Sequence, residues 1–109
     1  MGNSIYGQAT YDLAKIKKLL SDPNKRIVTQ RCYKNAVSLG YSSVEDIVEQ
    51  IFRLKPKNLY KTMESNKKLG LWQDVYRTID NSVHLYIKIQ ISFNGKGVVI
   101  QLKRDNGYR

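Results

Sequence analysis

A chain of 109 residues, 41% of them hydrophobic, is long enough to form one domain with its own core, without metals or disulfides as staples. Nineteen Lys and Arg against nine Asp and Glu give a formal charge of +10, which draws the protein toward a polyanion, nucleic acid first, or an acidic partner, and says nothing about its fold. One cysteine excludes an intrachain disulfide framework and a cysteine-rich zinc site, and no window approaches the roughly 18 apolar residues of a membrane span. With an N-terminus that lacks a signal-type apolar region, these features predict a cytoplasmic protein and no membrane partner.

Residues 1–9 are small and polar, with Gly2 and Gly7, and predict a flexible start; residues 10–109 predict a single domain. With Thr10 as N-cap, Leu13, Ile16, Leu19 and Leu20 recur at helical spacing while Lys15, Lys17 and Lys18 face away, until Ser21-Asp22-Pro23-Asn24 stops the helix. Lys25 to Val28 has room only for a brief edge strand. Thr29 caps a second helix that runs to Leu39, with Cys32, Tyr33, Ala36 and Val37 on its apolar side and Gly40 where a left-handed residue belongs. No acid or histidine stands at catalytic spacing from Cys32, which therefore reads as a small buried hydrophobe. A third helix opens at Ser42 or Ser43, where Ser42 and Glu45 have the spacing of a capping box. Val44, Ile47, Val48 and Ile51 then repeat at i, i+3, i+4 and i+7, and Pro56 ends the run.

From about Leu59 the period changes from helical to alternating, with no Gly-, Pro- or Ser-rich linker between the halves. That predicts one α+β domain, with three N-terminal helices packed on one face of an antiparallel sheet of four or more strands. Turns are expected at Ser65–Gly70, Thr78–Ser82 and Asn94–Gly97. The helices would cover Leu85, Ile87, Ile89, Val98, Ile100 and Leu102. Alternation then sends Lys61, Gln73, Arg77, Tyr86 and Lys88 to the open face, with His84 sharing the parity of Tyr86. Trp72 has the parity of Asp74 and Tyr76, so it reads as core and not as a platform for bases.

The residues exclude several chemistries. There is no Gly-rich phosphate loop, no pair of carboxylates in a strand setting and no His/Cys/Asp cluster with metal spacing, so no cofactor is expected. Catalysis on this face would use Lys, Arg, Tyr and Gln. Cleavage of RNA by its own 2′-hydroxyl suits that set: it needs a proton acceptor, cations to stabilise the phosphorane and a proton for the leaving 5′-oxygen. Clustered cations are expected to lower the pKa of a neighbouring Lys or Tyr. An open basic sheet face is more often a binding surface than an active site, so a non-catalytic RNA- or DNA-binding module, and after it an interaction surface for an acidic protein, stay open on the residues alone. His84 reads either as a general base or as an exposed residue at a strand start.

The runs Leu59-Tyr60-Lys61-Thr62-Met63, Leu71-Trp72-Gln73-Asp74-Val75-Tyr76-Arg77, Leu85-Tyr86-Ile87-Lys88 and Val98 to Lys103 resemble the motility quorum-sensing regulator (MqsR) toxins, mRNA interferases of type II toxin–antitoxin systems. The resemblance runs from about Tyr11 to the end of the chain. It implies a RelE-like fold, ribosome-independent endonucleolytic cleavage of mRNA at GCU-type sites, and a cognate MqsA-like antitoxin. It also implies catalytic roles for Lys61, Gln73, Tyr86 and Lys103, with Tyr60, Met63 and Arg77 as supporting positions. Lys61 and Lys103 would neutralise the scissile phosphate, Arg77 would add a bidentate contact, Tyr86 would act as acid or base, Gln73 would orient the substrate and Met63 would pack on a base. Lys88 and Arg104 are the alternatives to Lys103. The free toxin is expected to be a monomer.

Overall fold

The computed structural model describes residues 3–107, in which three α-helices and six strands alternate along the chain. The first strand, β1, spans Ser4–Tyr6 and precedes the first helix, α1, Leu13–Leu20. After a single 3-10 turn comes β2, Arg26–Val28, followed by α2, Gln30–Ser38, and α3, Val44–Phe52. Then β3 (Leu59–Glu64), β4 (Trp72–Asp80), β5 (Val83–Ile91) and β6 (Gly97–Arg104) follow as a meander. The mixed α+β character stands, but the helices do not all precede the sheet: β1 comes before α1 and β2 separates α1 from α2.

The sheet order is β1-β3-β4-β5-β6-β2. All neighbours are antiparallel except β2, which runs parallel to β6 at the edge, so the sheet is not wholly antiparallel. Of the segment expected to be flexible, Ser4–Tyr6 pair with Lys61–Met63, whereas Met1 and Gly2 lie outside the described residues, as do Tyr108 and Arg109 at the other end of the expected domain.

Local chemistry sets the helix ends. Asp12, not Thr10, caps α1, its carboxylate accepting from the Ala14 N–H. Thr10 is occupied elsewhere: its N–H and that of Tyr11 donate to the two carboxylate oxygens of fully buried Asp74, at 3.0 and 2.9 Å. Thr29 caps α2 as expected, and Gly40 takes the left-handed conformation, φ +100, that a β-carbon disfavours. The cap of α3 is Ser43, which accepts from Asp46 N–H, while Ser42 bonds back to the Asp46 carboxylate; the expected Ser42–Glu45 box lies one residue too early. The turn predicted over Thr78–Ser82 is shorter than expected, because β4 continues to Asp80 and a two-residue hairpin closes at Asn81 and Ser82, both with positive φ.

The core lies between the helices and one face of the sheet. Ile16 and Leu20 of α1, Cys32 and Ala36 of α2, and Ile47 and Ile51 of α3 meet Tyr76, Leu85, Ile87, Ile89, Val99 and Leu102 in one apolar cluster. Burial drives the Cys32 thiol up to about 12, as suits a packing residue and not a nucleophile. Tyr33 and Val37, expected on the apolar side of α2, are exposed.

Simple alternation fails in β6. Ile89 pairs with Val99 and Lys88 with Gln101, so Ile100 is the extra residue of a bulge. In consequence Val99 enters the helix-side core, and neither Val98 nor Ile100 belongs to that cluster. No helix among the described residues is long and apolar enough to cross a membrane.

Candidate functional site

The open face is a grid whose rows follow from the strand registers. One row reads Arg77, Tyr86, Lys103; the next reads Lys61, Val75, Lys88, Gln101; a third carries Met63 and Gln73, with Gln90 beyond. Neighbouring strands lie about 4.8 Å apart and alternate residues about 6.8 Å along a strand, so these rows fall within a patch about 14 Å on a side. Of the sequence-predicted residues, Lys61, Met63, Gln73, Arg77, Tyr86, Lys88 and Lys103 share this face. Arg104 pairs with core residue Leu85 and so belongs to the opposite face, which removes it as an alternative to Lys103.

Tyr60 reaches the face by a different route. A second bulge, between Leu59 and Lys61, keeps Leu59 opposite Tyr76 and Lys61 opposite Val75. The intervening Tyr60 ring can then stack on Arg77, whose guanidinium carbon lies 3.7 Å from the ring centroid. Bulges beside a site re-aim side chains that strict alternation would turn away.

Tyr86 is the hub. Its ring lies 5.1 Å from Lys103 Nζ, and its hydroxyl is 4.0 Å from Met63 Sδ two strands away, so the ring reaches diagonally across Val75. Val75 is fully buried yet outside the helix-side core, an apolar floor beneath the polar groups. Lys61 Nζ sits 5.5 Å from the Tyr60 ring and 5.6 Å from the Tyr6 ring, and those two rings meet edge to face at 5.3 Å. Gln73 Nε2 donates to Gln90 Oε1 at 3.0 Å, which holds its carboxamide in place.

Arg77 is tethered as well as stacked. Its Nε lies 2.8 Å from Oδ2 of Asp105, whose side chain is only 3% exposed, in an ion pair that is not an aligned hydrogen bond. The other Asp105 oxygen accepts from Gly107 N–H, and the Asp105 N–H donates to the His84 carbonyl. His84 itself lines a recess of about 360 Å³ with Arg77 and Asp105, two residues along β5 from Tyr86.

The electrostatics move Tyr86 and its strand neighbour Lys88 in opposite directions. Tyr86 is held above the ordinary phenol range, first by burial and then by nearby Tyr60 and Asp105, which outweigh the lowering by Arg77. The expected lowering of a Tyr pKa by clustered cations is thus corrected, because desolvation dominates. Lys88 follows the expected direction: burial, then Lys103 and Lys61, hold its ammonium below the ordinary lysine range. Asp105 and Tyr6 are the members of this surface that sequence reasoning missed. Asp105 lies beyond the last strand and Tyr6 in a segment without periodicity.

Residues 8–104 match the family model described as motility quorum-sensing regulator, toxin of MqsA. The chain belongs to that family. No curated protein matches it. The family covers nearly the whole chain, so the grid of cations, amides and phenol is a feature of a toxin of the toxin–antitoxin class. Its description pairs the toxin with the antitoxin MqsA. Both bulges and all four meander strands lie within the matched residues.

Proposed function

We propose that this MqsR-family toxin is an mRNA endonuclease that breaks the chain by attack of a 2′-hydroxyl on the adjacent phosphate. What supports the reading is the convergence of Lys61, Lys88, Lys103 and Arg77 around one half-buried tyrosine, on the face opposite the one on which the helices of the described residues pack. In the proposed step, the neutral form of Lys88, which burial and the neighbouring lysines make easier to reach than in an ordinary lysine, takes the 2′-hydroxyl proton, the O2′–P bond forms and the P–O5′ bond breaks. Tyr86, a phenol that is protonated near neutral pH in any case and that burial keeps so to higher pH, gives its proton to the leaving 5′-oxygen. Lys61 and Lys103 neutralise the charge that builds on the phosphorane, and Gln73, fixed by Gln90, orients the phosphate or a base edge. Arg77 contributes through the guanidinium nitrogens beyond the one paired with Asp105. The products are a 2′,3′-cyclic phosphate and a 5′-hydroxyl, and the step consumes no cofactor.

The family resemblance extends the proposal. Residues 10–109 act as one RelE-like domain, the substrate is mRNA cut at GCU-type sites without the ribosome, and the toxin works in the cytoplasm as a monomer until an MqsA-like antitoxin neutralises it. The test is incubation of the purified protein with single-stranded RNA in the presence of a chelator. Fragments ending in a cyclic phosphate, and no cutting where the nucleotide before the cut is 2′-deoxy, are the expected result. Binding without cutting would leave the face as a nucleic-acid-binding module, and cutting of the 2′-deoxy substrate would sink the 2′-hydroxyl mechanism.

A further inference from the structure

Beside Lys88 the open face dips into a groove of about 450 Å³ that runs across the sheet, away from Tyr86 and Lys103. One wall is Thr29 and Arg31, at the start of α2; the other is the loop between β3 and β4, with Ser65 and Lys67. The volume falls within the range of about 300–1,000 Å³ typical of small-ligand sites.

The lining has a consistent chemistry. Among the described residues that form it, three are basic, Arg31, Lys67 and Lys88, and none is a carboxylate. The recess beside His84 differs, because there Asp105 already pairs with the arginine. The floor offers two carboxamides, Gln73 and Gln101, with Ile100 between polar neighbours. Ile100 is there because of the β6 bulge, which denies it a place in the helix-side core. An apolar surface flanked by amides, with cations at both ends, matches a flat heterocycle with a polar edge joined to two phosphates. Single-stranded RNA is read in this way, by packing against the face of a splayed base and hydrogen bonding to its edge.

We propose that this groove is a base-recognition subsite. It seats the nucleotide next to the scissile phosphate, with the base packed on Ile100 and its edge read by the carboxamides of Gln101 and Gln73, while Arg31 and Lys67 hold the flanking phosphates. This rests on the ribonuclease reading for its substrate, and it makes Gln101 a specificity-determining residue. Gln73 and Lys88 border both the groove and the catalytic grid, so the base read here is adjacent to the bond broken there.

The experiment compares the parent protein with Gln101→Ala, Gln101→Glu, Arg31→Ala and Lys67→Ala. Each is given a random-sequence single-stranded RNA pool to cut and a 2′-deoxy pool to bind, with a thermal melt to verify folding. Gln101→Ala should reduce the preference for the favoured base at one position near the cut by about tenfold. The isosteric Gln101→Glu, which only accepts hydrogen bonds, should change which base is favoured there. Arg31→Ala and Lys67→Ala, both at exposed positions, should weaken binding to all sequences alike and each reduce the salt slope by about one. If the protein cuts RNA but both Gln101 variants keep the parent preference at every position, the subsite is wrong and the ribonuclease reading survives. If the parent does not cut, a Gln101-dependent preference in the 2′-deoxy pool upholds the subsite alone, and its absence ends both.

Discussion

Two faces of the same two strands obey different rules. On one side of β4 and β5, Tyr76, Leu85, Ile87 and Ile89 are at most 2% exposed and pack on three helices. On the other side Arg77, Tyr86 and Lys88 are only half-buried and touch one another or their strand neighbours. The first face is held by apolar area removed from water, a non-directional force that tolerates many solutions. The second gathers like charge around a phenol, so that Lys103 and Lys61 disfavour the Lys88 ammonium, a cost that the proposed binding of an anionic substrate would offset. Stability and chemistry should therefore separate by face, and substitutions on the two sides should fail in different ways.

The largest effect belongs to the packed face. Ile87→Ala removes a fully buried side chain from the centre of the cluster and should cost about 2–5 kcal/mol of stability. Chemical denaturation checks it, and any loss of RNA cleavage should follow the unfolded fraction. Lys61→Ala is the mirror image. It should leave stability within about 0.5 kcal/mol and lower the cleavage rate by about 10²–10³-fold, as removal of one transition-state charge partner does. A Lys61 variant that melted early while cutting normally would erase the distinction between the faces.

Asp74 sharpens the comparison because it is a carboxylate on the packed side. It is fully buried, and both its oxygens accept backbone N–H groups from Thr10 and Tyr11, beside a 2.6 Å bond between the Thr10 and Thr62 hydroxyls. Asp74→Ala leaves those two N–H groups without their acceptor and should cost about 1–3 kcal/mol. Because the clamp precedes α1, hydrogen exchange should rise first at Thr10 and Tyr11 and in β1. Protection there equal to the parent's would show that strand pairing alone holds the segment.

The elements whose side chains sit in water on one side and core on the other were readable from period alone: α3, β5 and the cap at Thr29 follow directly from residue spacing. The shared face of Lys61, Gln73, Arg77, Tyr86 and Lys88 was readable for the same reason. What spacing could not show were features that break the period. The bulges at Tyr60 and Ile100 shift parity by one without any Gly or Pro to mark them, and they decide that Tyr60 stacks on Arg77 and that Val99 is core. Ser4–Tyr6 form a strand only because the edge of β3 is there to pair with, a tertiary cause with no local trace. The rise in the Tyr86 pKa likewise depends on how deeply its neighbours bury it, which composition does not reveal.

Lys88 gives the finest test, since one residue should move stability and activity in opposite directions. Its ammonium is disfavoured by burial and by Lys103 and Lys61, so the unfolded chain binds this proton more tightly than the folded one. Stability should then rise with pH from the depressed pKa of the folded state up to the ordinary lysine value, and the charged form should weaken the fold below that window. Lys88→Met removes the charge while keeping the unbranched stem. It should raise the melting temperature at neutral pH and flatten that part of the pH dependence, yet abolish the ascending limb of the cleavage profile if Lys88 takes the 2′-hydroxyl proton. Tyr86→Phe should instead remove the descending limb, which in the parent lies above the ordinary phenol range. A Lys88→Met protein that melts lower than the parent would mean that its stem or its charge supports the fold, and the open face could no longer be read as a surface whose stability was given up for chemistry.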